Sequence, residues 1–274
     1  MTINHDNRIL MRVAWGLLFF GISGSAAAGI FNTKHNLGSM GLNAASNYSG
    51  TTEICVFCHT PHGGDETAAV PIWNRHLDPT GFQTYDQLGT TTLDASIEPV
   101  GSVSLACLSC HDGTQAMDSL INDPGSGREV PAFRNGVWSG QAATVNGRIG
   151  PPTVITNLGK DLTNDHPIGL QFGGGGYSVS NPLGPGKDPD FHHASTKIQG
   201  TTRIWWVNTP GGTNDFEKSD MKLYTRVATR GVYAGEPQPY VECASCHDPH
   251  VDYNPTFLRI DPTGSAVCLT CHNK

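Results

Sequence analysis

The chain has 274 residues, of which 37% are hydrophobic and 15% charged, with 33 Gly, 18 Pro and a formal net charge of -7. The glycine and proline load argues against long regular helices, and the acidic balance excludes the basic footprint of a nucleic-acid partner. Side chains able to fill a core are scarce, so a bound group is expected to supply much of it.

Residues 1–28 read as a secretory signal, with Arg8 and Arg12 in a positive leader, an apolar run from Val13 to Ile22 and an A-x-A cleavage site at Ala26–Ala28. Such a run is too short for a ~30 Å hydrocarbon layer, which takes about 20 residues. The expected mature chain starts near Gly29, has no membrane span and is exported to the periplasm, the outer surface or the extracellular space.

The eight cysteines form four CxxC pairs, each followed by histidine: Cys55/Cys58/His59, Cys107/Cys110/His111, Cys243/Cys246/His247 and Cys268/Cys271/His272. A disulfide framework, zinc sites of the CxxC type or redox CxxC pairs would not require that histidine. Covalent attachment of haem c does. Two thiols form thioethers with the two vinyl groups of one porphyrin, and the adjacent imidazole becomes the proximal iron ligand. Four covalent haem c groups are therefore expected.

Histidine is also the expected second axial ligand, because Met40, Met117 and Met221 lie in no recognisable ligand context. His62 and His250 each follow a proximal histidine by three residues. Three extended residues span at most ~10 Å, too little to round a porphyrin edge, so each ligates a different haem or none. His166 precedes Pro167, which extends the backbone and presents the side chain from a loop. The residues alone leave open whether His35 and His166 are ligands or surface histidines; His76, His192 and His193 read as packed or solvated.

The segments Lys34–Leu37, Ile54–His62, Pro71–Arg75, Cys107–Thr114, His166–Gly169, Val241–His250, Phe257–Arg259 and Cys268–His272 resemble a family of exported tetrahaem cytochromes with doubled CxxCH motifs, including a type that polymerises into extracellular filaments. The resemblance implies bis-histidine haems whose distal ligands are His35, His62, His166 and His250.

The expected organisation is one tetrahaem domain over 29–274, with a haem pair in 29–124, a cysteine-free middle in 125–240 and a second haem pair in 241–274. The expected fold is mostly irregular and haem-cored, with short helical turns at the CxxCH sites and a small β ribbon from Thr202–Asn208 and Lys222–Val227. Trp205 and Trp206 are expected to pack against haem edges or an interface, and Gly173–Gly176 to form a hinge or tight turn.

The function expected is electron transfer along closely spaced bis-histidine haems, with no enzyme activity, since two protein ligands leave no open position on iron. The alternative is a multihaem reductase acting on a small oxyanion, which needs one open iron. Redox proteins or an extracellular acceptor are the expected partners. Self-association is expected head to tail, with His35 near the mature N-terminus reaching a neighbour's iron.

Overall fold

The computed structural model describes residues 29–41, 46–125, 130–140, 146–184, 186–231 and 233–273; the signal segment read at 1–28 lies outside them. The dominant element is a five-stranded antiparallel sheet of order β3-β7-β6-β5-β4. Its strands are β3 (Leu170–Gln171), β4 (Ser195–Gln199), β5 (Thr202–Val207), β6 (Met221–Val227) and β7 (Pro237–Val241). A second, two-stranded sheet pairs β1 (Asn47–Tyr48) with β2 (Trp138–Ser139).

This corrects the expected fold class: the sequence reading of a mostly irregular, haem-cored chain with a small ribbon is overturned by the five-stranded sheet, and no haem core is shown. The physical reason is local concentration. Phe172, Tyr177, Trp205, Val207, Met221, Leu223 and Val241 form one buried cluster, so a chain poor in large apolar residues on average still builds a protein core where they gather. Trp205 and Trp206 are 0% and 2% exposed. Trp205 belongs to the sheet's own core and Trp206 stacks edge-on against Phe216 at 5.6 Å, so haem edges are not needed to cover them.

The β4–β5 hairpin closes with two residues between Gln199 and Thr202, and Gly200 takes the left-handed φ of 63° that such a tight turn requires. Gly173–Gly176 is a tight turn in which all four φ values are positive, from 57° to 101°. It is closed from outside by Lys187 N–H donating to Gly175 O and Asp188 N–H to Gly173 O.

Among the described residues there are four short α-helices, α1 (Ser102–His111), α2 (Pro131–Arg134), α3 (Cys243–Cys246) and α4 (Ala266–Cys271), besides short 3-10 turns. Among the described residues no helix is long and apolar enough to cross a membrane.

Candidate functional site

Each CxxCH motif lies on a helical turn: a 3-10 turn over Cys55–Phe57, then α1, α3 and α4. On a helix, residues three apart share a face, so both thiols of a pair project together. At the ends of α3 and α4 the backbone leaves the helix at once, with His247 at φ -107°, ψ 140° and His272 at φ -99°, ψ 138°. That turns each imidazole away from the helix axis. None of the eight cysteines is in a disulfide: Cys55 and Cys268 are exposed, and Cys58, Cys107, Cys110, Cys243, Cys246 and Cys271 are half-buried.

The motifs are tied to one another. Asn74 N–H donates to Cys58 O at 2.8 Å, and the neighbouring, fully buried Arg75 donates from Nε to Ser109 Oγ at 3.2 Å and from Nη2 to Ser109 O at 3.0 Å, binding the first motif to α1. Ser104 of α1 donates to Glu242 and accepts from Cys243 N–H at 2.9 Å, which seats α3 on α1. The neighbouring Cys243 thiol and burial together raise the Cys107 thiol above its usual range. Cys246 and Cys271 both pack on the sheet core, so the sheet carries the third and fourth motifs. Burial pushes the Cys58 and Cys271 thiols up to about 12 and that of Cys246 up to about 11.

The second motif also stands close to its neighbours. Cys110 lies near Cys58, close enough that its charge adds to burial in raising the Cys58 thiol, while Cys107 meets Cys243. The physical reason is the packing of α1, which is clamped to the first motif through Arg75 and Ser109 and to α3 through Ser104.

The histidines pair across long stretches of chain. The ring of His250 lies parallel to that of His59, with centres 6.3 Å apart, and the rings of His35 and His111 are 6.1 Å apart. An imidazole nitrogen sits about 2.0 Å from a bound transition metal and roughly 1.1 Å from its own ring centre, so two imidazoles on opposite sides of one metal hold their centres about 6 Å apart. Both pairs have that spacing. His166 is near His272: the protein around it and the charge of His272 together hold its pKa below the usual histidine range. His62 is exposed, and its ring makes no ring pair or hydrogen bond among the described residues. His76, His192 and His193 are exposed.

Five of these imidazoles face carbonyl oxygens through Nδ1: His59 on Pro71 (3.0 Å), His111 on Thr156 (2.8 Å), His247 on Thr256 (2.7 Å), His166 on Pro167 (3.0 Å) and His35 on Pro249 (3.3 Å). A carbonyl only accepts, so Nδ1 carries the proton and Nε2 keeps its lone pair for a metal. His250 differs: its Nδ1 faces the Asp248 carboxylate at 3.1 Å, a bond that draws Asp248 down to about 2 and raises His250. Burial and the neighbouring His111 lower His35 to about 4, and burial lowers His111. His35 and His111 are therefore neutral at neutral pH, the form that binds metal.

The donor set fits haem. Paired thiols on one turn, an adjacent imidazole and a second imidazole across a metal-sized gap are what an iron porphyrin with two vinyl groups takes. Among the described residues no three of His, Cys, Asp and Glu converge as a metal cage, so the cysteine pairs are not arranged as zinc thiolate sites. Arg75, Ser104, Asp248 and the carbonyl of Pro249 were not singled out from sequence as site residues. Arg75 carried one legible signal, a charge in an otherwise apolar and neutral run, Pro71 to Asn74.

No curated protein matches the chain. Residues 238–274, which hold the third and fourth motifs, match the family described as doubled CXXCH motif. That motif is one of c-type cytochromes, and with it come covalent haem c and electron transfer.

Proposed function

We propose that the chain is an exported electron carrier with four covalent haem c groups, each held by one CxxCH motif and each bis-histidine ligated. The observation that carries this reading is the pair of imidazole separations, 6.3 Å for His59–His250 and 6.1 Å for His35–His111, each joining a motif histidine to one outside the motif of its own haem. His166 serves the haem of His272 in this reading, and His62 is the ligand left for that of His247.

The haems supply reversible one-electron chemistry when bound. The protein's part would be to anchor them through eight thiols, to fix the tautomer of six of the eight ligand imidazoles through an Nδ1–H bond and to supply two histidines to each iron. That double ligation is what favours a carrier over the alternative, a reductase on a small oxyanion, because a reductase needs an iron with one free position. Redox proteins or an extracellular acceptor are its partners.

Self-association belongs to this proposal in changed form. In this reading His35, which stacks on Phe257 at 4.4 Å and lies beside His111, serves a haem of its own chain. His62, exposed and unpaired among the described residues, is the histidine open to a second copy.

Intact mass of the exported protein tests the central claim. Four haems add about 2.5 kDa to the mature polypeptide, one per CxxCH motif, and any other number overturns the reading. High-spin ferric haem in the unmodified protein would favour the reductase.

A further inference from the structure

The partners of the six hydrogen-bonded ligand imidazoles are not equivalent. Five donate Nδ1–H to neutral carbonyls, and only His250 donates to a carboxylate, that of Asp248 at 3.1 Å. Asp248 is held in place independently of the ring. Its backbone N–H donates to Phe257 O at 2.9 Å, its Oδ1 also accepts the His250 backbone N–H at 3.1 Å, and its side chain is 19% exposed. The first motif shows what the same frame looks like without the carboxylate. In Cys58-His59-Thr60-Pro61-His62, Thr60 stands where Cys246-His247-Asp248-Pro249-His250 has Asp248, and Thr60 Oγ1 donates to the His62 carbonyl at 3.2 Å rather than touching the ring.

A carboxylate that accepts Nδ1–H makes an imidazole a stronger electron donor to the metal on Nε2, which favours the ferric state, and its negative charge nearby acts in the same direction. The cation against it is Arg259, whose Nη1 is 3.8 Å from Asp248 Oδ2, beyond hydrogen-bond distance, and whose other donors are engaged by the carbonyls of Ala244 and Lys218. The offset is therefore partial.

We propose that Asp248 is a positioning residue that tunes one iron: through His250 it makes the haem anchored at Cys55, Cys58 and His59 the most reducing of the set. This rests on the four-haem reading above. It also gives that haem a defined place in the flow of electrons, as the strongest donor to its neighbours.

Spectroelectrochemical titration of the exported holoprotein, with haem number checked by intact mass, tests it. Asp248→Asn keeps the shape and removes the charge. One potential of the four is expected to rise by about tenfold in the reduction equilibrium constant, which is ~59 mV for one electron. Asp248→Glu is expected to restore the low value. Four unmoved potentials, or four that move together as from a distant charge, overturn the proposal. If Asp248→Asn fails to load four haems, electron paramagnetic resonance of the unmodified protein decides. One of its low-spin ferric signals should show the stronger ligand field of an imidazolate-like histidine and disappear in His250→Ala; four signals without that distinction overturn it. Fewer than four haems in the unmodified protein instead counts against the tetrahaem reading itself.

Discussion

The carbonyl of Pro249 accepts Nδ1–H of His35 at 3.3 Å, closing a link across 214 positions of the chain. The His35 ring is stacked flat on Phe257, at 4.4 Å and 11°, so the same C-terminal segment both orients the imidazole and clamps its face. The approach at Gly29 is equally close, where a β-carbon would stand 2.8 Å from His250 O. Residues 29–41 are thereby docked on the loop that also carries His250.

His35→Ala is expected to convert one haem of the four from low to high spin without releasing the others, read as a new high-spin charge-transfer band in the ferric spectrum. Pro249→Ala keeps the accepting carbonyl and should leave the spectrum as it was. A low-spin spectrum in His35→Ala would remove His35 from the ligand set. If His35 serves its own chain as proposed, light scattering of His35→Ala should match the unmodified protein, whereas His62→Ala should reduce any assembly that the unmodified protein shows.

Arg75 is the strongest link between the first two motifs. It is 0% exposed, and its guanidinium donates to Ser109 Oγ, Ser109 O, Met117 O and Ala116 O, all of them neutral acceptors. Removing it strands two buried carbonyls, Ser109 O and Met117 O, each worth about 1–3 kcal/mol when left unmatched, while Ala116 O keeps the Ser119 N–H. Arg75→Ala is expected to cost about 3 kcal/mol or more in denaturant unfolding. Arg75→Lys should recover little, since a single ammonium cannot reproduce the planar fork. Full recovery by lysine would show that charge, not geometry, matters at this position.

The motif chemistry was legible because it is local. Two thiols and an imidazole within five positions need no knowledge of the fold, and neither does the argument that His250 cannot reach the iron of His247. The partners of the distal imidazoles were not legible, because the His59–His250 and His35–His111 pairs are long-range contacts that spacing does not encode. The approach of Cys110 to Cys58 was hidden for the same reason. The sheet was half visible. Thr202–Val207 is rich in β-branched and aromatic residues and Met221–Val227 alternates as strands do, but β3 is only two residues before a glycine turn, and β7 reads Pro237-Gln238-Pro239-Tyr240-Val241. Two prolines argue against a central strand. Here β7 nonetheless lies between β3 and β6, because its register places Pro237 and Pro239 opposite Val227 and Thr225 while Tyr240 and Val241 take the paired, buried positions.

Trp205 tests whether the sheet has a core of its own. It is fully buried among Tyr177, Met221 and Leu223, and its Nε1 has no hydrogen-bond partner among the described residues. Trp205→Ala is expected to cost about 3–5 kcal/mol, the usual range for emptying a buried aromatic site. Trp205→Phe keeps most of the ring and deletes an unsatisfied donor, so it should cost well under half as much. Equal losses for the two variants would mean that the indole nitrogen has a partner after all.

Glu242 gives the pH dependence. It caps α3, taking the Ser245 backbone N–H on its side chain while its own N–H donates to Ser245 Oγ at 3.0 Å. It also accepts from Ser104 and, at 3.0 Å, from Arg226 Nη1. Burial outweighs these bonds and raises its pKa above the usual 4.5. The native state therefore holds a proton that the unfolded chain has released between pH 4.5 and the raised native value. The resulting stability is fully present below pH 4.5 and is lost as the pH rises through that window. Glu242→Gln keeps a capping oxygen and cannot ionise. Thermal melting of both proteins should show the wild type losing ground to Glu242→Gln as the pH rises from 4.5, while Glu242→Ala, which loses the cap, should be less stable by about 1 kcal/mol throughout. A difference between wild type and Glu242→Gln that stays constant with pH would mean that Arg226 keeps the carboxylate ionised in the folded protein.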